Sequence, residues 1–279
     1  MVYASILENR AVIALAGAEA HDFLQGLITN DIEACREGRA IYAALLTPQG
    51  KILFDFFVVL HGENRWLIDC AGSRASDLIK RLTLYRLRAK VDIASRPDLA
   101  AAALWNGGGT IAAQGDAILF PDPRLRELGF RGVGTRTVLE EATRNMPAGD
   151  YDAHRLKLGV PDSHDLPSDQ VFALDAGFEE LMGVSFKKGC YVGQEVTARM
   201  KHRASARKRF LIADIPGEIP FGAPLEAGGR EVGTLASGKD AHALALVRLD
   251  RLEDAEGKQA PITAAGQQVT LRKPDWMKL

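Results

Sequence analysis

The spacing of hydrophobic positions divides the first 160 residues into short predicted strands and helices. Apolar runs bounded by turn residues are typical of strands, and apolar positions three and four apart are typical of helices. The predicted strands lie at residues 11–17, 41–47, 51–60, 65–70, 90–94 and 101–105. The predicted helices lie at 18–31, 73–87, 137–146 and 151–159, with a serine cap on the second and Gly159 at the end of the fourth. Helices mixed with hairpin-connected strands predict an α+β fold.

The C-terminal part of the chain has a different pattern. After about Lys208, short β segments follow one another at regular spacing with Gly- and Pro-containing turns, which predicts a small antiparallel β-barrel. The segments are 209–215, 222–229, 230–238, 243–250 and 267–273. We therefore predict two domains, an α+β region at 1–205 and a C-terminal β-barrel at 206–279. The Gly- and Pro-rich stretch 106–134 predicts turns and short strands, and its glycines do not match the GxGxxG pattern of phosphate loops.

Composition and charge narrow the class of protein. With 279 residues, of which 47% are hydrophobic and 25% charged, the chain is an ordinary globular protein of more than one packed unit. The formal net charge of −1 excludes a whole-molecule attraction to nucleic acid or to a membrane, so such binding would need a local patch. No apolar run approaches the ~20 residues of a membrane span, and the N-terminus shows no targeting pattern. These features predict a cytosolic (cytoplasmic) protein with no membrane partner.

The three cysteines, Cys35, Cys70 and Cys190, lie far apart in sequence. The absence of a CxxC pair or a Cys/His cluster argues against a self-contained zinc or iron–sulfur site. An odd and sparse cysteine count also argues against a disulfide framework. A metal centre that involves one of these cysteines therefore needs ligands from outside the chain.

The stretch FKKGCYVGQE at 186–195 places Cys190 between two glycines and ahead of a predicted helix with Gly193 at its N-cap. The two preceding lysines and the helix N-terminus favour a thiolate, so Cys190 is a candidate reactive or metal-ligating thiol. An isolated cysteine is also a common small buried apolar residue, so the residues alone leave both interpretations open. Glu195 is predicted to pair with Arg199 one helical turn later.

KKGCYVGQE resembles the signature of the YgfZ-type proteins, which are folate-binding relatives of the glycine-cleavage aminomethyltransferase and support iron–sulfur protein assembly or repair. Further blocks resemble the same family in the same order: FLQGLITNDI (23–32), TPQGKILFDF (47–56), HRLKLGVPD (154–162), the DLPSDQ…LDAG segment and VGTLASG. The resemblance spans nearly the whole chain. It implies an aminomethyltransferase-like folate-binding region around a central cleft, followed by the C-terminal barrel.

The resemblance also implies roles for individual residues. Asp55 falls in the block where the transferase relatives place a carboxylate near the folate N5, although Phe54 stands at the first position of their acidic pair. Arg155 matches a cleft-lining arginine suited to a folate carboxylate. The residues alone leave two other interpretations open, a solvent-facing Asp55 on the polar side of its strand and an Arg155 on a helix surface near Asp152. The glutamate block with which the relatives grip the pterin has no counterpart in LGFRGVG.

The predicted site has two parts. Cys190 is its reactive thiol, and Lys188 is expected to hold the thiolate or an anionic substrate. Tetrahydrofolate is the predicted cofactor, in a cleft between Asp55 and Cys190. The predicted folate-binding residues are Asp55, Arg155, Asn30, Tyr191, Gly193, Gln194 and Glu195. No self-contained metal site is predicted, and Cys190 would ligate a metal only together with external thiols.

The resemblance implies a tetrahydrofolate-binding factor that supports assembly, insertion or repair of iron–sulfur clusters in client enzymes, tRNA-modifying ones included. Its expected partners are iron–sulfur client or scaffold proteins, with a transient dimer as another source of thiols. Whether the protein catalyses a reaction of its own stays open, because the alternative function is that of a folate-dependent aminomethyl or one-carbon transferase. Aminomethyl transfer needs no cysteine in this block. A third hypothesis is a tRNA-binding module, since 201–209 holds five Lys/Arg. That run lacks interleaved aromatic residues, which favours a solvated linker and makes a nucleic-acid partner the weakest of the three hypotheses.

Overall fold

The computed structural model describes residues 1–107, 115–203, 207–217 and 219–278, and within these ranges the chain forms antiparallel sheets and six α-helices. The strands are β1 (Tyr3–Ile6), β2 (Arg10–Ala16), β3 (Ile41–Leu46), β4 (Ile52–Leu60), β5 (Arg65–Ala71), β6 (Asp92–Ser95), β7 (Leu99–Trp105), β8 (Ile118–Pro121), β9 (Phe130–Thr135), β10 (Lys208–Asp214), β11 (Pro224–Ala227), β12 (Arg230–Lys239), β13 (His242–Arg248), β14 (Ile262–Ala264), β15 (Gln267–Gln268) and β16 (Thr270–Arg272). The helices are α1 (Ala20–Leu27), α2 (Ala75–Arg86), α3 (Arg136–Thr143), α4 (Tyr151–Lys157), α5 (Gln194–His202) and α6 (Leu249–Gly257). The predicted α+β class is confirmed.

The first sheet has the strand order β3-β4-β5-β2-β6 and contains the predicted hairpin, in which β3 and β4 are antiparallel. Gly50 in the turn has a φ of 81°, which glycine adopts without the steric penalty of a side chain. One face of the sheet packs against α1 and α2, and the other face packs against a second core that includes residues of the remaining sheets. Because both faces are covered, β4 is apolar at every position except Asp55.

The second sheet has the order β1-β7-β9-β8, and the third has the order β15-β14-β11-β12-β13-β10-β16. All strand pairs of the third sheet are antiparallel, and it forms the nearly closed barrel that the sequence predicts. The predicted strand 243–250 is too long by two residues, because the chain turns into α6 at Leu249. The predicted serine cap of the second helix is wrong, since Arg74 occupies the N-cap of α2 with no side-chain cap.

The predicted domain boundary between 205 and 206 lies outside the described residues, as does most of the glycine run near 107–114, and the boundary stays a prediction. In the parts of the chain that the structure describes, no helix is both long enough and apolar enough to span a bilayer.

The junction between the α+β region and the barrel is a buried polar network centred on Arg155 of α4. Its Nε donates to Asp152 (2.7 Å), its Nη1 to Asp165 (2.8 Å) and its Nη2 to Ser237 of β12 (3.0 Å). Asp165 also accepts from the backbone N–H of Ser237 at 2.8 Å. Both Arg155 and Asp165 are 2% exposed, so the bond between them lies away from water, and their bonds to Ser237 join the two regions.

Asp165→Ala should lower the free energy of unfolding by about 3–5 kcal/mol, because it leaves the Arg155 guanidinium buried with fewer partners. Urea unfolding measures the change. Asp98→Ala is the matched control, since it breaks the Arg96–Asp98 pair, which is largely exposed, and should cost at most about 1 kcal/mol. Equal losses in the two variants would contradict a stabilising role for this junction.

Candidate functional site

The segment 186–195 crosses the turn of the β3–β4 hairpin and then enters α5. Gly193 is the N-cap of α5, as predicted, and has a φ of 84°. A Cβ at this position would lie 2.5 Å from the carbonyl oxygen of Thr47 and 2.9 Å from the Cβ of Leu46. At Gly189 a Cβ would meet nothing within 4 Å. The fold therefore requires glycine at 193, whereas position 189 faces open space.

Cys190 is exposed, whereas Cys35 and Cys70 are buried. Burial raises the pKa of Cys35 to about 11 and that of Cys70 to about 12, so both stay protonated thiols near neutral pH. The accessible position of Cys190 excludes the interpretation of this residue as a small core side chain. Of the three thiols, it is the one that a partner can reach.

Lys188 does not have the environment that the sequence predicts. It is 7% exposed, and its Nζ donates to the carbonyl oxygens of Gln25 (2.7 Å), Ile28 (2.6 Å) and Asn30 (2.9 Å). Burial lowers the pKa of this amine to about 8, and Asp31 offsets part of the effect. The expectation that Lys188 holds a thiolate or an anionic substrate is corrected, because its three N–H groups are engaged within the protein.

Asn30 connects this segment to Asp55. Its Nδ2 donates to the carbonyl oxygens of Tyr42 (2.8 Å) and Met182 (2.7 Å), and the Tyr42 hydroxyl donates to the Asp55 carboxyl at 3.0 Å. Asp55 is 5% exposed, so the interpretation of a solvent-facing strand residue is wrong. Burial raises the pKa of Asp55, and the negative charge of Asp162 raises it further. The Asp55 carboxyl therefore holds its proton more tightly than an exposed aspartate does.

A buried charge network lies beside Asp55 and was not predicted. Asp69 of β5 accepts from Arg10 of β2 at 2.7 Å and from Arg131 of β9 at 2.8 Å, so it joins the first and second sheets. Arg10 also reaches Asp162 at 3.2 Å. Although burial opposes ionisation of Asp69, the two guanidinium groups outweigh it and lower the pKa of the carboxyl.

Phe57 of β4 forms the apolar floor of this network. The guanidinium carbons of Arg131, Arg124 and Arg10 lie 4.1, 4.8 and 5.6 Å from the centre of its ring, which are cation–π distances. Arg124 pairs with Asp122 at 2.8 Å. A sequence signal for the network existed in Asp69, a lone carboxylate inside the apolar run RWLIDC, since a buried carboxylate requires a partner.

A cavity of about 550 Å³ opens on this network, with Arg10, Asp162 and Tyr151 in its wall. Its size is within the range of small-molecule sites, but neither Asp55 nor Cys190 lines it. The Arg124 Nη1 and Arg131 Nε atoms are buried without a hydrogen-bond partner among the described residues. Neither arginine lines the cavity, and the network contributes Arg10 and Asp162 to its wall. A guanidinium and a carboxylate of this kind suit the carboxylate and amino groups of a folate. The predicted cleft between Asp55 and Cys190 is corrected, because this cavity is bordered by Arg10, Asp162 and Tyr151 instead.

The other predicted folate-binding residues are distributed differently. Tyr191 is buried, and burial raises the pKa of its hydroxyl to about 12. Gln194 is half-buried, and exposed Glu195 pairs with Arg199 at 2.5 Å, as predicted. Arg155 does not lie with this group, because each of its three nitrogens donates at the junction with the barrel. Its predicted contact with a folate carboxylate is corrected for that reason, and the alternative of a helix-surface arginine is also wrong.

The described ranges also bear on the side chains available to a metal ion and to nucleic-acid phosphate. No group of three or more His, Cys, Asp and Glu side chains there could hold a metal ion. In the basic run 201–209, Lys201 pairs with Glu179 and Arg209 pairs with Glu180, which reduces the positive charge that the run offers to phosphate. Positions 204–206 of that run lie outside the described residues.

Comparison with protein-family models gives two matches. Residues 8–105 match the GCVT N-terminal domain, and residues 207–279 match the CAF17 C-terminal beta-barrel domain. In a comparison of solved structures, the chain is similar to the glycine cleavage system aminomethyltransferase T from Bartonella henselae, with a TM-score of 0.78, 16% identity, and coverage of 99% of this chain and 86% of that one. This similarity confirms the aminomethyltransferase-like fold.

Curated relatives are similar over nearly the full length. The chain is 33% identical to the human iron–sulfur cluster assembly factor IBA57, mitochondrial, covering 97% of this chain and 84% of that protein. The mouse protein of the same name is 29% identical with the same coverage. A Neurospora crassa homolog is 32% identical over 74% of this chain and 52% of its own length. The prediction of a cytosolic location is contradicted, because these relatives are named as mitochondrial proteins.

The two glycines around Cys190 provide a matched pair of variants. Gly193→Ala should lower the free energy of unfolding by about 1–3 kcal/mol, because its Cβ clashes with the β3–β4 turn and its φ is positive. Gly189→Ala should stay within about 0.5 kcal/mol of the wild type, since its Cβ meets open space. Urea unfolding distinguishes the two, and a larger loss at position 189 would contradict the described course of the segment.

Proposed function

Because the chain belongs to the IBA57 family of iron–sulfur cluster assembly factors, we propose that Cys190 is the ligand through which it holds a cluster during assembly. The observation that carries the proposal is the exposed thiol of Cys190 in a segment where Lys188 and Tyr191 are buried in the protein. The role in iron–sulfur cluster assembly follows from the family, and the use of this cysteine is our addition. The cluster is the cargo of this protein.

Cys190 cannot hold a cluster alone. Protein-bound clusters are commonly held by four cysteine thiolates, and the other two thiols of this chain are buried. The remaining ligands must come from a scaffold or client protein, from glutathione, or from a second copy of the chain. Open space beside Gly189 gives such a partner room to approach the backbone next to the thiol.

The chemistry at Cys190 is ligand exchange without a change of oxidation state. When a cluster arrives with glutathione ligands, the Cys190 sulfur forms a bond to one iron and one glutathione sulfur leaves that iron. The proton of the Cys190 thiol passes to the departing glutathione thiolate, so charge and atoms balance. An exposed thiol suits this step, because incoming and departing ligands both need access from solvent.

Reduced folate is the second component that we propose. The unpartnered donors of Arg124 and Arg131 and the cavity bordered by Arg10 and Asp162 support a folate next to the charge network. Tetrahydrofolate would bring an apolar ring system and hydrogen-bonding edges to this place. Arg10 and Asp162 line the cavity and would bind and orient it. Asp55 does not line the cavity and would act through Asp162, whose negative charge adds to burial in raising the pKa of Asp55.

We also propose that the chain is a YgfZ-type protein and that its clients include tRNA-modifying enzymes. Both proposals rest on the resemblance of the KKGCYVGQE motif to the YgfZ-type signature. We favour an assembly factor over a folate-dependent one-carbon transferase. Aminomethyl transfer does not require a cysteine at position 190, and Phe54 stands where the transferase relatives have the first carboxylate of their acidic pair. Aminomethyl transfer to tetrahydrofolate by the purified protein would overturn this preference.

Cys190→Ser should abolish the support of iron–sulfur enzymes in cells while leaving folding nearly intact, because serine is of similar size at an exposed position. The measurement is the activity of iron–sulfur enzymes in a strain that lacks the chromosomal gene. Cys35→Ala and Cys70→Ala are the controls and should retain function, since both thiols are buried. Full complementation by Cys190→Ser would refute the proposed role of this thiol.

Tetrahydrofolate should raise the melting temperature of the wild-type protein. At a concentration a hundredfold above Kd, binding to the native state adds about 2.7 kcal/mol, or about 5 °C for a chain of this size. Asp55→Asn should reduce this shift far more than Asp92→Asn, which lies on an exposed part of β6. A melting temperature that stays constant at millimolar tetrahydrofolate would rule out the folate site.

A further inference from the structure

Lys188 lies two residues from Cys190 and is buried, although its neighbours Lys187 and Gly189 are exposed. A buried lysine is costly, because removal of the ammonium group from water disfavours its charged form. The structure offsets this cost with three hydrogen bonds of 2.6–2.9 Å to backbone carbonyl oxygens and with the Tyr191 ring, whose centre lies 5.1 Å from Nζ. Three hydrogen bonds and a cation–π contact to one ammonium group indicate that this group has a specific structural role.

The three acceptors belong to the C-terminal end of α1 and the residues that follow it. Gln25 lies in the last turn of the helix, Ile28 is its C-cap, and Asn30 comes two residues later. Carbonyl groups at the end of a helix lack the N–H partners of the next turn and carry partial negative charge. An ammonium group with three donors is the natural partner for three convergent carbonyls, whereas a planar guanidinium has a different geometry.

The receiving residues are themselves held in place. The Asn30 side chain donates to Tyr42 and Met182, and the Gln25 side chain donates to Asp31 at 2.9 Å. Its amide oxygen also accepts from the backbone N–H of Ile32 at 3.0 Å. The carbonyl cradle is therefore set by interactions that do not depend on Lys188.

Two buried anchors consequently flank the thiol. Lys188 fixes the chain on one side, and Tyr191, at 7% exposure, fixes it on the other, so that Gly189 and Cys190 form a two-residue arch that faces solvent. We propose that Lys188 is the positioning residue that fixes this arch and presents the Cys190 thiol to the partner that completes the cluster. This inference rests on the proposed role of Cys190 in cluster binding, and it replaces the expected contact of Lys188 with the thiolate.

The test uses chemical rescue in the full-length protein. Lys188→Ala removes three carbons and the ammonium group, which n-propylammonium can replace and 1-propanol cannot. Hydrogen–deuterium exchange of the peptide that contains residues 186–193 should be at least tenfold faster in this variant than in the wild type. n-Propylammonium should restore the slow exchange, and 1-propanol should not. Lys187→Ala is the matched control and should exchange like the wild type, because Lys187 is exposed.

A second measurement links the arch to cluster binding. The visible circular dichroism of the protein is followed as a preformed glutathione-bound [2Fe–2S] cluster is added. Apparent affinity should fall at least tenfold in Lys188→Ala, recover with n-propylammonium and remain unchanged in Lys187→Ala. Wild-type exchange rates in Lys188→Ala, or recovery with 1-propanol, would overturn the positioning role.

The two measurements also separate the two claims. If the wild type gives no cluster signal, the proposed function of Cys190 fails, and the exchange data alone decide whether Lys188 fixes the arch. If Lys188→Ala does not fold, Lys188→Met keeps the side-chain length without the charge and should show the same rise in exchange. Unchanged exchange in Lys188→Met would then count against the proposal.

Discussion

The buried carboxylate of Asp69 imposes the constraint on which the arrangement of the α+β region depends. A charge removed from water must be neutralised, and Asp69 is neutralised by Arg10 from its own sheet and Arg131 from the second sheet. The two sheets therefore meet at a fixed distance and register. Phe57 provides the surface over which the guanidinium groups stack. The chain of contacts from Asp55 through Tyr42 and Asn30 to Lys188 meets this centre at the Tyr42 ring, which contacts Phe57 and Arg124.

The exposed thiol and the buried charges have complementary tasks. A lone cysteine on a mobile loop would lose conformational freedom each time a partner bound, and that loss would weaken the complex. A cysteine between two anchored residues has already lost that freedom during folding. Because Lys188 and Tyr191 are fixed in the stable interior, the short exposed segment between them holds the Cys190 sulfur in a constant orientation.

The helices and strands could be predicted from the sequence better than the tertiary contacts between their side chains. Periodicity located the strands of the first sheet and the barrel, and the Gly193 N-cap and the Glu195–Arg199 pair follow from local spacing. Lys188 and Asp69 could not be placed in this way, because the residues that they bond lie 59 to 163 positions away in the chain. Arg155 has Asp152 and Asp165 nearby, but its bond to Ser237 spans 82 positions. The family resemblance implied that Arg155 lines a cleft and binds a folate carboxylate. A buried guanidinium pairs with the carboxylates nearest to it, and for Arg155 these are Asp152 and Asp165 at the junction with the barrel.

The sequence distance between Arg10 and its partner Asp162 has a consequence for synthesis of the chain. The two residues are 152 positions apart, and translation adds about 5–20 residues per second. Arg10 is therefore made roughly 8 s before this partner at the fast end of that range and roughly 30 s before it at the slow end. From the end of β6 at Ser95 until Asp162 is made, the first sheet has all its strands but lacks part of the charge balance of its buried face. The nascent chain thus passes through a stage in which a chaperone can bind that face, and closure of the interior comes only after α4 has been made.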